Sequence, residues 1–399
     1  MDLTDEFKNK IRRFARTINS SKMQSFFLNL TYKCPLRCKY CYINRADEDM
    51  SFEQASYILK ELTKSDGNYA RLITFFGGEP TLKVDMIDEL LSIYYNQLDK
   101  YTKKRKTRYG IITSFSYKQD DVMKLCEKYP GLELVISYDN PNNEQRVYPN
   151  GVPLNLYDVI RRYPLDKYKS NICIFKTCNG REKNLFNDLM ELYNLYIEYG
   201  VMYTWSHNKT PFDDIDYKVF SDNYSKFLSF LFNEIIYEYD VYIPKIVTME
   251  YELYTKRVYN IGGCGLGQEI FISANGEIYP CAIPNRNILD WELSNPNIIE
   301  KLDYVEMGLL DNPKCKTCEI VSFCSGGCPA DRLINHNNIL SPNENWCNYS
   351  KSIYNAYDIA YNKLSDKEKN VLDAAITEYR VGYYRLCSSS NTMTDIVGK

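Results

Sequence analysis

Three cysteines, Cys34, Cys38 and Cys41, follow directly on an apolar run that ends at Leu30. The pattern places three thiolates in one short loop at the end of a predicted β-strand. Three thiolates alone cannot close a tetrahedral zinc site, but they can hold three irons of a 4Fe-4S cluster and leave the fourth iron open to a small ligand. A zinc site completed by a distant ligand is the alternative. The loop therefore predicts a bound metal cofactor.

A second group of cysteines lies in the C-terminal part of the chain. Thiolates at such spacings suit either iron–sulfur clusters or two structural zinc sites. Among the other cysteines, Cys126 and Cys173 fall in apolar runs and are predicted to be small core residues, and Cys178 and Cys387 are not expected to be ligands. The members of the second group are Cys264, Cys281, Cys315, Cys318, Cys324, Cys328 and Cys347.

Length and composition narrow the class of protein. A chain of 399 residues with 44% hydrophobic residues can form one large domain and a smaller one. A formal charge of −3, without a basic stripe or a long acidic tail, gives no support for nucleic acid or a membrane surface as the principal partner. The sequence contains no signal peptide or long apolar run, so a cytoplasmic protein is expected. In that compartment, 14 cysteines are better explained as metal ligands than as disulfides.

Alternating apolar runs and helix-like stretches must position the first cysteine loop. Between the first two runs, Ser51 and Gln54 can form a capping box before the helical stripe that includes Leu62. Six strand–helix units predict an α/β fold with parallel strands, either an open doubly wound sheet or a partial barrel. Both place ligand-binding loops at the carboxyl ends of the strands. The six runs are Phe26 to Leu30, Leu72 to Phe76, Tyr109 to Thr113, Leu132 to Ser137, Asn171 to Thr177 and Val201 to Ser206.

Two motifs, each at its own predicted strand end, resemble those of radical S-adenosylmethionine (SAM) enzymes. The first is Cys34-x3-Cys38-x2-Cys41, and the second is the Phe-Gly-Gly-Glu-Pro turn that ends at Pro80. The resemblance implies a 4Fe-4S cluster on the three cysteines, with SAM chelating its open iron. It also implies a partial (β/α)6 TIM-like barrel of the radical SAM type.

The resemblance further implies which residues contact SAM. The turn at Gly77–Pro80 receives the methionine amino group, because glycines allow close backbone approach and Glu79 offers a carboxylate to an ammonium. Residues Ser137 to Pro141 resemble the family's S-x-D-G-P turn, with Asn140, which tolerates positive φ, in place of glycine. The implied SAM-binding residues are Tyr40, Gly77, Gly78, Glu79, Pro80, Thr113, Ser114, Ser137, Asp139 and Arg146.

The C-terminal cysteines resemble the SPASM extension of radical SAM enzymes, because eleven residues separate Cys264 from Gly276 and four separate Gly276 from Cys281. The resemblance implies one auxiliary 4Fe-4S cluster on Cys315, Cys318, Cys324 and Cys347, and a second on Cys264, Cys281 and Cys328. Several relatives supply a fourth cysteine to the second cluster from upstream, and here that stretch has none. Either a distant residue completes it, or its last iron is open to substrate, for example a peptide thiolate.

The cysteine-rich region, with its low apolar periodicity, is typical of a small domain whose folding free energy comes from bound metal. Five segments are therefore expected along the chain. They are an N-terminal helix at 1–22, the partial barrel at 23–240, a linker at 241–259, the SPASM domain at 260–350 and closing helices at 351–399.

SPASM-bearing relatives mostly modify peptides and proteins. The leading hypothesis is therefore maturation of a ribosomally made, Cys-containing peptide by oxidative formation of a thioether or carbon–carbon crosslink. An electron donor such as a flavodoxin or ferredoxin is the other expected partner. The segment before the first predicted strand is too short for the winged leader-binding domain that some peptide maturases carry.

Two alternatives remain open. The anaerobic sulfatase-maturating enzyme, which oxidises Cys or Ser to formylglycine, has a similar layout, but its catalytic aspartate directly follows the second SPASM cysteine. This chain has Ala282 at that position, although Asp290 can compensate. The alternative of another class is a non-catalytic iron–sulfur electron carrier or metal-stapled interaction module, and the SAM turn at Gly77–Pro80 counts against it.

Overall fold

Strands and helices alternate through much of the computed structural model. It describes residues 3–18, 25–63, 71–96, 107–140, 144–169, 171–208, 214–238, 241–255, 269–282, 293, 312–336 and 341–388. The strands are β1 Ser25–Thr31, β2 Arg71–Gly77, β3 Thr107–Thr113, β4 Glu133–Ser137, β5 Ile172–Cys178, β6 Met202–His207, β7 Glu269–Ile272 and β8 Ile278–Tyr279. The helices are α1 Asp5–Ile18, α2 Phe52–Thr63, α3 Val84–Tyr94, α4 Gln119–Lys128, α5 Tyr157–Ile160, α6 Leu185–Tyr199, α7 Tyr217–Tyr237, α8 Lys245–Tyr254, α9 Pro313–Lys316, α10 Val321–Cys324, α11 Pro329–His336, α12 Glu344–Tyr361 and α13 Asp366–Ser388.

The chain divides into two compact units. The first consists of Met1–Ser137, Val147–Gly151 and Gly265–Leu302. The second consists of Tyr138–Arg146, Val152–Cys264 and Asp303–Lys399. Strands β1 to β4, β7 and β8 therefore belong to the first unit, and β5, β6 and the helices from α5 onward belong to the second.

The first unit is built on parallel strands. β1 pairs in parallel with β2 on one side and with β7 on the other, β2 pairs with β3, and β3 pairs with β4. The expected α/β fold with parallel strands is confirmed. The carboxyl ends of these strands lie at one edge of the sheet, so residues that follow β1, β2 and β3 can meet there.

Helix α2 follows the local sequence rules. The Ser51 hydroxyl accepts a hydrogen bond from the Gln54 backbone N–H at 3.1 Å, and the Gln54 side chain accepts from the Ser51 N–H at 2.9 Å. This reciprocal pair is the predicted capping box, and an N-cap of this kind stabilises a helix by about 1 kcal/mol. Behind it, α2 buries Ala55, Ile58 and Leu62, as its periodicity predicts.

The β7–β8 hairpin was not predicted. The strands pair antiparallel, with Ile272 opposite Ile278, and Gly276 adopts a φ of +83° in the turn between them. A Cβ at Gly276 would lie 2.3 Å from the ring of Phe7 in α1, so glycine is required for packing as well as for the turn. The signal was the Asn275-Gly276 pair between two short apolar runs, which favours a tight hairpin.

The second unit places β5 and β6 side by side in parallel register, from Cys173 opposite Met202 to Cys178 opposite His207. Helix α6 begins at the Asn184 cap and ends at Gly200, whose φ is +67°. Aromatic residues of α7 and α12 pack together, with the Phe220 and Tyr349 rings 4.8 Å apart between centroids. Helix α7 buries several aromatic residues, among them Phe220, Tyr224 and Phe227.

Helix α8 lies inside the segment 241–259, for which the sequence suggested a linker. It buries Val247 and Tyr251, so this part of the segment is packed structure. Among the described residues, no helix combines the length and the apolar character needed to cross a bilayer.

Candidate functional site

The loop that carries Cys34, Cys38 and Cys41 begins three residues after β1 ends. Cys34 and Cys38 are half-buried and Cys41 is exposed. The Leu36 N–H donates a hydrogen bond to the Cys34 sulfur at 3.4 Å, which is a typical way to stabilise a thiolate that binds iron.

The three cysteines influence one another. Burial raises the pKa of the Cys34 thiol to about 12, and the nearby charges of Glu79, Cys38 and Cys41 raise it as well. A thiol in such surroundings stays protonated unless a cation is bound, because anions close together repel each other. A metal centre removes that penalty by coordinating the thiolates, so the donor set fits an iron–sulfur cluster.

The Gly-Gly-Glu-Pro turn after β2 is hydrogen-bonded to the segment that leads into the cysteine loop. The Gly78 N–H donates to the Thr31 carbonyl at 2.7 Å, and the Glu79 N–H donates to the Lys33 carbonyl at 2.9 Å. A Cβ at Gly78 would lie 2.2 Å from that Lys33 oxygen, and Gly77 has a φ of +152°. The two glycines are therefore needed for this turn to contact residues 31–33.

Glu79 is completely buried and accepts hydrogen bonds from two strand ends. Its carboxylate accepts from the Thr81 N–H at 3.1 Å and hydroxyl at 2.8 Å, from the Thr113 hydroxyl at 2.6 Å, and from the Ser114 N–H at 2.8 Å and hydroxyl. The structure thus brings together Glu79, Thr113 and Ser114, which the sequence predicted separately. It shows a carboxylate held by five donors in the first unit.

Four other predicted SAM-binding residues differ from one another in burial and in their partners. Tyr40 and Ser137 are half-buried, Ser137 as the last residue of β4. Asp139 and Arg146 are buried in the second unit, where the Arg146 Nε donates to an Asp139 carboxylate oxygen at 3.3 Å. The guanidinium predicted to face the SAM carboxylate is thus engaged by Asp139.

Lys176 was missed by the sequence analysis. Its side chain in β5 is 1% exposed, and its Nζ lies 3.2 Å from Asp139, 3.2 Å from Asp188 and 3.9 Å from Glu182. Burial lowers the pKa of Lys176, but the three carboxylates raise it above its ordinary value. Burial also raises the pKa of Asp188 to about 6, although Lys176 opposes this change. The signal was a single lysine inside the apolar strand sequence of β5.

Four of the C-terminal cysteines line one cavity of about 290 Å³ in the second unit. Helices α9, α10 and α12 supply three of them, and the fourth lies in the turn between α9 and α10. They are Cys315, Cys318, Cys324 and Cys347. These four cysteines were predicted to share one auxiliary cluster, and that assignment remains a prediction about the ligand.

Polar groups lie beside two of the sulfurs in this cavity. The Arg332 Nη2 lies 3.6 Å from the Cys315 sulfur, and Arg332 is 2% exposed. Burial raises the pKa of Cys324, while the nearby polar groups of Ser350, Trp346 and the Gly326 backbone lower it. Donors to cluster sulfurs are a recognised means of setting the reduction potential of an iron–sulfur centre.

Zinc is the alternative metal for this cavity. Four thiolates suit a tetrahedral zinc ion as well as a 4Fe-4S cluster. Within the described ranges, no three His, Cys, Asp or Glu side chains form a preformed site for a single metal ion. The assignment of this cavity to a cluster is therefore a proposal.

The second predicted auxiliary set is described only in part. Cys264 lies outside the described residues, and so does Asp290. Cys281 follows β8 in the first unit, where burial and the thiols of Cys281 and Cys41 raise the pKa of Tyr42. Cys328 is buried before α11 in the second unit. Cys126 is buried on α4, as predicted for a core residue, and Cys173 is half-buried.

Comparisons with known proteins agree with this geometry. Residues 28–190 match the radical SAM superfamily. The chain is 25% identical to the radical SAM cyclopropyl synthase TigE from Paramaledivibacter caminithermalis, over 92% of this chain and 79% of TigE. It is also 25% identical to an uncharacterized protein from Archaeoglobus fulgidus, over 83% of this chain and 80% of that protein.

Two solved structures share the fold. The complex of anSMEcpe with AdoMet and the Cp18Cys peptide matches with a TM-score of 0.66 and 18% identity, over 87% of this chain and 99% of that one. Streptococcus suis SuiB bound to its precursor peptide SuiA matches with a TM-score of 0.52 and 15% identity, over 84% and 80%.

Proposed function

We propose that this chain is a radical SAM enzyme that oxidatively modifies a peptide, because residues 28–190 match the radical SAM superfamily. The observation that carries the proposal is the physical connection of the two motifs. The turn at Gly77–Pro80 is hydrogen-bonded to residues 31 and 33, which lead directly into Cys34. A ligand held at this turn is therefore close to metal held by the cysteine loop.

The bound group would supply the difficult chemistry. When bound, a 4Fe-4S cluster and SAM would supply radical chemistry, namely the removal of a hydrogen atom from the substrate. In this chain, Cys34, Cys38 and Cys41 would hold the cluster. Glu79 ties the ends of β2 and β3 together through Thr113 and Ser114, which keeps the ligand-binding edge in one arrangement.

The four-cysteine cavity supports an oxidative outcome. Removal of a hydrogen atom leaves a substrate radical, and loss of one further electron and one proton allows a new bond to form. We propose that a cluster on Cys315, Cys318, Cys324 and Cys347 accepts that electron. The buried Arg332 cation beside Cys315 supports this role, because it favours the more negative, reduced state.

A peptide is the proposed substrate class. anSMEcpe and SuiB have been solved with peptides bound, although their likeness to this chain extends to the fold alone. TigE is named as a cyclopropyl synthase, and its similarity spans most of this chain. This relationship favours a carbon–carbon bond over a thioether. An open iron at the Cys281 and Cys328 set, which would favour a thiol substrate, stays a prediction.

Formylglycine formation is the second candidate, because the layout of the sequence is similar to that of the anaerobic sulfatase-maturating enzyme. The residue after Cys281 weighs against it. Ala282 occupies the position expected for the catalytic aspartate, and a methyl group cannot take a proton from a substrate thiol or hydroxyl.

The test is anaerobic reconstitution followed by two measurements, iron and sulfide per chain and SAM cleavage after dithionite reduction. One variant replaces Cys34, Cys38 and Cys41 with alanine, and another replaces Cys315, Cys318, Cys324 and Cys347. Cys126→Ala is the matched control, since this buried cysteine lies on α4 and belongs to neither set.

Each variant is expected to lose about four irons, the content of one cluster. Only the first should lose cleavage of SAM to 5′-deoxyadenosine, and Cys126→Ala should match the wild type in both measurements. Full iron content in the first variant, or cleavage that survives it, would overturn the assignment of the SAM cluster. Unchanged iron in the second variant would overturn the auxiliary cluster. Incubation with candidate peptides encoded near the gene, followed by mass spectrometry, then tests the peptide modification.

A further inference from the structure

Asn29 in β1 is buried completely, yet neither atom of its side-chain amide has a hydrogen-bond partner among the described residues. A buried amide usually makes hydrogen bonds, because an unpaired donor or acceptor has lost its hydrogen bonds to water and destabilises the folded state. An apolar residue of similar size would avoid this penalty. The position therefore points to a polar group that pairs with Asn29 when a ligand is bound.

Asn29 lies beside the turn that follows β2. It is paired in register with Phe76, the residue before Gly77. A Cβ at Gly77 would lie 2.6 Å from the Asn29 Oδ1, so the amide oxygen lies against this glycine. Both residues are near the carboxyl ends of their strands, which is the edge where parallel sheets bind ligands.

Three other polar side chains at this edge of the first unit are already paired. Glu79 accepts five hydrogen bonds, and a carboxylate offers about four lone-pair positions. The Thr113 hydroxyl donates to Glu79 and accepts from the Phe115 N–H at 2.8 Å. The Ser114 hydroxyl is paired with Glu79 and with Ser116. Asn29 has both a donor and an acceptor to offer.

We propose that Asn29 binds the amino-acid end of SAM, with Oδ1 accepting from the ammonium and Nδ2 donating to the carboxylate. This inference rests on the proposed function. A carboxamide is suited to the task because it offers both hydrogen-bonding roles without adding charge. Its position against Gly77 puts it next to the turn at which the sequence motif indicates the methionine amino group.

The test measures binding to the cluster-loaded, unreduced protein, so that no turnover occurs. Equilibrium dialysis gives the affinities of SAM, methionine and 5′-deoxyadenosine for the wild type, Asn29→Leu and Asn29→Ala. Ser221→Ala is the matched control, since the Ser221 hydroxyl in α7 is another buried group for which the described residues offer no partner. Iron content and the melting temperature of the SAM-free protein are measured for each.

Asn29→Leu is expected to bind SAM at least tenfold more weakly, which corresponds to about 1.4 kcal/mol. Methionine should lose a similar factor, while 5′-deoxyadenosine should lose none. The melting temperature without SAM should stay equal or rise, because an unpaired amide is removed. Asn29→Ala is the second variant, in case the leucine of Asn29→Leu disturbs folding, and it should show the same pattern of ligand affinities. Ser221→Ala should leave all three affinities unchanged.

Equal SAM affinity in wild type and Asn29→Ala, with full iron content in both, would overturn the inference. Equal losses of affinity for all three ligands would also overturn the inference, since they indicate general disruption of the binding site. A wild-type protein that loads no cluster and binds no SAM would instead refute the proposed function. The two failures are therefore distinguishable.

Discussion

Replacement of Arg332 by glutamine tests whether the four-cysteine cavity holds a redox-active cluster. Arg332 is 2% exposed, and its Nη2 lies 3.6 Å from the Cys315 sulfur. Reduction adds a negative charge to a cluster, and a nearby buried cation stabilises that charge. Removal of the cation should therefore lower the midpoint potential of this cluster.

The expected size follows from Coulomb's law. Charge added to the cluster core lies roughly 6 Å from the guanidinium, and at an effective dielectric constant of about 20 two unit charges at that separation interact by about 3 kcal/mol. Since about 1.4 kcal/mol corresponds to about 59 mV for one electron, the fall is on the order of 100 mV. Arg332→Lys, which keeps the charge, should lie between the wild type and Arg332→Gln.

The assay is a redox titration followed by electron paramagnetic resonance of the reduced cluster. It is made in the variant that lacks Cys34, Cys38 and Cys41, so that the SAM cluster does not contribute. Lys314→Gln is the matched control, because this lysine lines the same cavity but its side chain is 53% exposed and paired with Glu344. Solvent screens such a charge, so the midpoint potential of the cluster in Lys314→Gln should differ from the wild-type value by less than about 15 mV. A shift in Arg332→Gln no larger than in Lys314→Gln, at full iron content, would refute the reasoning.

Three further predictions concern stability and assembly. Gly78→Ala should prevent loading of the SAM cluster and lower the melting temperature, since its Cβ would lie 2.2 Å from the Lys33 carbonyl oxygen. The control variant Gly110→Ala, whose Cβ would lie no closer than 3.4 Å to another atom, should load the cluster normally. Iron content and thermal denaturation are measured for both variants. Lys176→Met should lower the free energy of unfolding by about 3–5 kcal/mol, because the substitution leaves buried carboxylates without their cation. Urea denaturation measures this free energy, and a loss below about 1 kcal/mol would contradict a buried ion cluster. The pKa of Asp188 is raised to about 6 in the folded state, so its contribution to the free energy of unfolding is present below about pH 4 and is lost as the pH rises through 6. Asp188→Asn should remove up to about 2–3 kcal/mol of that pH dependence, measured by urea denaturation. An unchanged pH profile would contradict the raised pKa.

Local patterns predicted the elements that depend on adjacent residues. The capping box before α2 and the apolar stripe of α2 are present as expected, because they arise from spacing along a single helix. The β7–β8 hairpin was not predicted, since its strands are short and lie in a cysteine-rich region, which is typical of metal-bound loops. Helix α8 falls where a linker was expected, because its stabilisation comes from burial of residues such as Tyr251.

The alternation of strands and helices was enough to indicate the α/β fold. The cysteine spacing and the Gly-Gly-Glu-Pro turn were enough to indicate the similarity to the radical SAM superfamily that residues 28–190 show, because such motifs are carried by residues close together in the chain. Tertiary structure decided which distant groups meet these motifs. Lys176 contacts Asp139 across 37 residues, and Arg332 reaches Cys315 across 17. The amide of Asn29 lies unpaired against Gly77. Such pairings depend on how strands and helices pack, and packing is set by the whole fold, so no local pattern in the sequence reveals them.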